Sequence, residues 1–379
     1  MTVTVSADQI VTADGRVDDA RIVIDDGTIT SVESGASASE ADVVGSWVLP
    51  GAVDLHCHGG GGASLMATDL DEVLDALAFH RGHGTTTSLV SLVSAPVDRL
   101  VGQLRRIVTW LDDPATRLAE QVSGIHLEGP FLATARCGAI DPDTMIDASP
   151  DVVGALLAAA GGWLRVITVA PERSGVLEAI PRLRRAGAVV AVGHTDATAE
   201  VVHAAISAGA TLATHLGNAM SPFHHREPGA FGACLADPGV TGELIVDGHH
   251  LHPDTVRIAA AAKGPERVTF CTDAVAAAGA PDGSLALGGQ AVTVADGVVR
   301  LDRTGALAGS TLTMDRAVAN AMSWGVDVET VVRATAVNPA RLLGLADRGM
   351  IAPGKRADLL VFDDGWNLIG VVAAGALRV

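Results

Sequence analysis

Short runs of Val, Ile and Leu alternate along the middle of the chain with longer segments whose apolar residues recur every three or four positions. DLDEVLDALAFHRGHG gives way to TTTSLVSLV, then to PVDRLVGQLRRIVTW, and the exchange continues in the same manner. Such alternation predicts parallel βαβ units. Eight candidate strands fall near 48–56, 85–93, 122–128, 164–170, 188–194, 211–215, 243–248 and 268–273. Eight is the number that closes a (β/α)8 TIM-type barrel. A hairpin, SLALGGQAVTVADGVVRLD, is inserted after the eighth strand, and helices near 313–323, 327–335 and 339–344 complete the core. The two ends read differently. VTVSADQIVT, ARIVIDDGTITSVES and DVVGSWVLP are separated by Asp/Gly turns, and GMIAPGKRADLLVFDDGWNLIGVVAAGALRV has the same hairpin grammar. The expected fold is α/β, with a barrel over 51–345 and a small β-sandwich built from 1–50 and 346–379.

Composition narrows the function classes. The chain has 379 residues, more than the roughly 250 of such a barrel, which leaves room for an appended module. Apolar residues make up 48%, yet no uncharged apolar run approaches the roughly 18 residues of a membrane helix. The start, MTVTVSADQIVTADGR, has neither a cationic nor an apolar leader segment, so residence in the cytoplasm is expected. A net charge of −18 disfavours nucleic acid and anionic membranes as partners. Cys57, Cys137, Cys234 and Cys271 lack CxxC or finger-like spacing and read as free thiols. Lysine occurs only at 263 and 355.

Candidate chemistry gathers at the strand ends, where a barrel keeps its active groups. VLPGAVDLHCHGGGG, VSGIHLEGP, AVVAVGHTD, ATLATHLGN and RVTFCTDA each end a β-like run on a potential ligand ahead of a turn. His56 and His58 are two apart, so strand alternation sends both imidazoles into the barrel mouth and turns Cys57 away. Glu128, His194 and His215, from strands three, five and six, offer a facial set suited to a divalent ion. Asp273, from strand eight, is left to handle protons. If Glu128 bridges, the two groups hold ions about 3.5–4 Å apart. The expected cofactor is one or two divalent ions per subunit, zinc first, with Fe2+, Mn2+ or Co2+ as alternatives. A single histidine before a turn is often only a packed or hydrogen-bonded residue. Ligand-type residues at five strand ends together are hard to obtain from packing alone. His126 shares a face with Glu128 and reads as support one layer deeper or as a core histidine. His80, His83 and His203 sit in helix or loop contexts and receive no role.

The ordered motifs PGAVDLHCH, HLEGPF, GHTDA, THLGNAM, HREPGAFGA, VDGHHLHP, TDAVAAAG, LAGSTLTM and NPARLLGL resemble those of the N-acetylglucosamine-6-phosphate deacetylases, within the amidohydrolase superfamily. The resemblance runs nearly the length of the chain. It implies metal-dependent hydrolysis of the N-acetyl group of N-acetylglucosamine 6-phosphate to glucosamine 6-phosphate and acetate. It also implies sugar contacts at Asn218 and Ala219, and phosphate contacts at Arg226 and His250 that reach across a homodimer into the neighbouring site. Many superfamily members bridge two metals with a carboxylated lysine on strand four. That strand ends here as ITVAPER without lysine, so Glu128 must substitute.

In the mechanism so implied, a metal polarises the acetyl carbonyl and acidifies the attacking water. Asp273 takes the water proton and returns it to the departing amine. One position departs from the family: where relatives carry a histidine that hydrogen-bonds the substrate carbonyl, this chain has Ile140. Losing one such donor commonly costs roughly a hundred- to a thousandfold in rate. Cys137, in the same loop, reads as an inert thiol. Two alternatives stay open: deacetylation of N-acetylgalactosamine 6-phosphate or another N-acyl substrate, and a sugar-phosphate-binding homologue weakened at Ile140.

Overall fold

The computed structural model describes residues 2–35, 41–287 and 290–378. Its centre is a sheet of eight parallel strands: Ala52–Asp54, Thr85–Val93, Val122–Glu128, Leu164–Val169, Val189–Val192, Leu212–Ala213, Thr241–Ile245 and Val268–Cys271. Helices follow the strands and cover the outside, as βαβ connections require. The ring closes between first and last strands through main-chain bonds beyond the strand ends. Asp273 N–H donates to the His56 carbonyl and His58 N–H to the Ala274 carbonyl, both at 2.8 Å.

The expected first strand, 48–56, divides into two. Val43–Pro50 belongs to the terminal sheet, and the barrel strand starts at Ala52. Gly51 is the joint. A Cβ there would collide with the Thr86 hydroxyl and stand 2.7 Å from the Asp358 side chain, so only glycine lets the two sheets meet this closely.

Both chain ends build one seven-stranded sheet, in which Val43–Pro50 lies between Val3–Thr12 and Leu359–Phe362. The sheet folds over as a sandwich. Ile22 and Ile24 from one side share a buried cluster with Leu359 and Val361 from the other. The inserted hairpin is three-stranded, Gly283–Leu287, Gln290–Ala295 and Val298–Leu301. Gly288 and Gly289, within the expected hairpin, lie outside the described residues. The two expected helices after 327 form one run broken by a π-helical turn at Arg333–Val337. Pro339 has no N–H to continue the ladder, and the Ala334 carbonyl takes the Thr269 hydroxyl instead.

Inside the barrel, side chains stack in layers. Leu89, Val166 and Leu212 form part of one buried apolar cluster. Two residues further along each strand, and so on the same face, stand Ser91, Thr168 and Thr214. His126 donates or accepts between Ser91 and Thr168 at 3.0 and 2.9 Å, and the two threonine hydroxyls are 2.7 Å apart. This polar layer is the floor on which the strand-end residues rest.

Asp54, fully buried, latches the seam. It accepts from His56 N–H at 3.1 Å, Thr272 N–H at 3.3 Å and the Thr272 hydroxyl at 2.6 Å. Burial pushes its carboxyl up to about 6 despite these bonds. Asp54→Ala strands buried donors, each costing about 1–3 kcal/mol. The urea midpoint of the variant is expected to fall accordingly, and an unchanged midpoint would show that the seam does not depend on the latch.

Candidate metal centre

The six sequence-selected residues meet at the C-terminal rim. His194, His215 and Asp273 each lie two residues past the end of their strand, with φ of 47°, 30° and 47°. Left-handed backbone at a non-glycine residue costs about 1–3 kcal/mol and persists where surroundings over-determine it. Here it turns three side chains back over the barrel axis. His56 and His58 also lie past their strand, but Cys57 continues the pairing as a bridge to Ala274. The expected alternation therefore holds: Cys57 is buried in the core, and the two imidazole Nε2 atoms are 2.9 Å apart.

Glu128 stands between two histidine pairs. Its Oε1 is 3.0 Å from His194 Nε2 and 3.2 Å from His215 Nε2. Its Oε2 is 3.2 Å from His58 Nε2 and 3.6 Å from His56 Nε2. Asp273 Oδ1 faces the second pair at 3.3 and 3.4 Å. Among the described residues three buried ligand-type groups result: Glu128/His194/His215 and His56/His58/Asp273, made of the sequence-selected residues, and a third in which His56 is shared with Glu243 and Cys271. Nitrogens bound to one tetrahedral zinc at about 2.0–2.1 Å stand roughly 3.3 Å apart. The pair spacings of 2.9 and 3.2 Å fit such a cradle.

Electrostatics of the rim are set by these carboxylates. Burial disfavours the charged His58 imidazole, but the bonds to Asp273 and Glu128 outweigh it and lift its pKa to about 9. His56 and His194 are raised against burial by the same pair of carboxylates. Burial would raise Asp273, yet the charge of His56 and the bond to His58 bring it down to about 2. Glu128 likewise lies well below the carboxylate range. His126, one layer below, is held neutral by burial and by the charge of His56.

A cavity of about 630 Å³ opens above this floor. Asn218, Ala219, His250 and Ile140 line it, with Arg136, Gly138 and Gln290 among the other wall residues. Ile140 packs against Leu132 and Met145, so its side of the wall is apolar. Cys137 is partly buried in the same cluster. His250 Nδ1–H donates to the Asp247 carboxylate at 2.7 Å, and that bond lifts its pKa against the effect of burial. His250 lines the cavity of its own chain. Arg226 lies outside that wall, on the exposed segment 222–227 beside His225.

Two contributors escaped the motifs. Glu243, on the seventh strand, contacts His56 and the main chain of His215. Its signal was a lone carboxylate in the otherwise apolar run ELIV, since buried parallel strands read as continuous apolar text. Arg136 contributes its carbonyl, 2.7 Å from His194 Nδ1, while its guanidinium pairs with Asp196. A main-chain contact has no sequence signal.

Four histidines and two carboxylates on the rim of a (β/α)8 barrel define the class: a barrel protein with a candidate two-ion metal centre. The Amidohydrolase family model matches residues 47–377, and the chain belongs to that metal-dependent family. It is similar to the structure of an aspartate-to-alanine variant of N-acetyl-D-glucosamine-6-phosphate deacetylase from Mycobacterium smegmatis in complex with N-acetyl-D-glucosamine-6-phosphate. The identity is 41%, with 99% of each chain covered and a TM-score of 0.94. N-acetylgalactosamine-6-phosphate deacetylase of Escherichia coli O157:H7 is 36% identical, with 100% of this chain and 99% of the relative covered. N-acetylglucosamine-6-phosphate deacetylase of Lysinibacillus sphaericus is 34% identical, over 98% and 96%.

The shifted groups dictate how the ion-free fold responds to pH. His58 binds its proton more tightly folded than unfolded, so its contribution is complete below about 6.5 and is lost as pH rises through about 9. Asp273 contributes above about 3.9 and loses that contribution as pH falls through about 2. Chelator-treated protein should therefore show a denaturation midpoint that declines from pH 6.5 to 9; a flat alkaline limb would contradict the coupling between these side chains.

Proposed function

We propose that this protein hydrolyses the N-acetyl group of N-acetylglucosamine 6-phosphate, yielding glucosamine 6-phosphate and acetate. The observation that carries the reading is Glu128, with one oxygen toward each histidine pair and Asp273 beside them under an open cavity. Glu128, His194 and His215 would hold one divalent ion, and His56, His58 and Asp273 a second, with zinc favoured by the imidazole and carboxylate donors. When bound, such an ion polarises an amide carbonyl and acidifies water.

The remaining work falls to the side chains. Asp273, brought down to about 2 by the charge of His56 and the bond to His58 against burial, is ionised at neutral pH and accepts a proton from the attacking water. It delivers that proton to the amide nitrogen as the C–N bond breaks, so the products are a free amine and acetate. Asn218 and Ala219 bind the sugar. His250, whose pKa is raised by its bond to Asp247 against the effect of burial, meets the 6-phosphate from within the chain. Arg226, outside its own cavity, completes the phosphate site of a neighbour in a cytoplasmic homodimer, with the forked geometry that phosphate suits. Ile140 gives the acyl group an apolar wall and no hydrogen bond.

A second substrate has a specific support: the relative named for N-acetylgalactosamine 6-phosphate is 36% identical over the full chain. Acetate release decides between the epimers. Metal-stripped protein reconstituted separately with Zn2+, Fe2+, Mn2+ and Co2+ should release acetate from N-acetylglucosamine 6-phosphate, faster than from its galactose epimer and far faster than from the unphosphorylated sugar. No acetate with any ion would end the deacetylase reading.

Asp273→Asn should lower kcat by about 10²–10⁴, while substrate affinity by calorimetry stays within a few-fold. Retained turnover would remove Asp273 from the proton-transfer role.

A further inference from the structure

His56 and His215 belong to different ligand sets, yet both rest on Glu243. That residue is 2% exposed in the middle of the seventh barrel strand. Its Oε1 lies 3.1 Å from His56 Nδ1 and accepts the His215 main-chain N–H at 3.2 Å. A carboxylate is costly to bury unless donors surround it, and these are the donors that justify its place.

The four imidazoles are not equally supported. Among the described residues, His58 and His215 have a buried Nδ1 without a partner. His194 Nδ1 meets only a neutral main-chain carbonyl, that of Arg136. His56 alone has a carboxylate behind it. An acceptor at Nδ1 fixes the proton there, keeps the Nε2 lone pair facing His58 and Asp273, and makes that nitrogen a stronger donor.

We propose that Glu243 is a positioning residue that selectively sets the affinity of the His56/His58/Asp273 ion site, and so decides whether the chain holds one ion or two. The inference rests on the two-ion reading above. The Glu128/His194/His215 set meets Glu243 only through the His215 main-chain N–H, not through an imidazole, and so depends on it far less.

Zinc titration of chelator-stripped protein against a chromophoric competitor, with elemental analysis of stoichiometry, tests this without any activity measurement. Glu243→Gln keeps both acceptor contacts and removes the charge. Its weaker zinc Kd should rise by about 10- to 100-fold, with the tighter Kd within a few-fold of the unmodified chain. Glu243→Ala should bind a single zinc and reproduce the isotherm of His58→Ala, the reference for loss of that site. If Glu243→Ala does not fold by circular dichroism, the isosteric Gln variant decides alone. Two ions at unmodified affinity in Glu243→Gln, parallel weakening of both ions, or a single ion in the unmodified chain would each overturn the proposal. No zinc at all in the unmodified chain would overturn the metal reading itself.

Discussion

One buried carboxylate organises the rim of this barrel. Glu128 offers one oxygen to His194 and His215 and the other to His58 and His56. Without it, four buried imidazoles converging at the cavity floor would repel one another when protonated and lack acceptors when neutral. With Asp273 beside it, the same crowding becomes a pocket of donors matched to positive charge. The sign of the local potential, more than any single bond, is what the strand ends are arranged to produce.

That arrangement is imposed from below and from the side. The polar layer of Ser91, His126, Thr168 and Thr214 fixes the height at which the ligands emerge. Asp54 closes the seam between first and last strands directly beneath His56 and Asp273. The left-handed turns at His194, His215 and Asp273 then point the side chains inward. Strain at these three residues is tolerable because ladder, floor and seam all constrain the same few atoms.

Much of this was legible in the text of the chain. Parallel strands betray themselves as short apolar runs, and Thr85–Val93 and Val122–Glu128 coincide with their expected bounds. The ligands were legible because His and Glu ending such runs violate the apolar pattern. Glu243 violates it too, but inside a strand, where no turn drew attention to it. The break at Gly51 was hidden because a strand leaving one sheet and entering another keeps the same periodicity on both sides. His250 was placed by resemblance alone, and its orientation toward its own cavity depends on Asp247, three residues earlier, which no spacing rule isolates. The Arg136 carbonyl carries no side-chain identity and could not be read at all.

The shared terminal sheet has a consequence for how the chain is made. Val43–Pro50 pairs on one side with Val3–Thr12, available at once, and on the other with Leu359–Phe362. At ordinary ribosomal speeds the second partner emerges on the order of tens of seconds later. During that interval the nascent strand presents an open row of amides and carbonyls to the cell, a template for unwanted pairing. The barrel must therefore mature while its own doorway hangs unhinged, and occupancy of that edge by a chaperone or a sister chain is the hazard this topology carries.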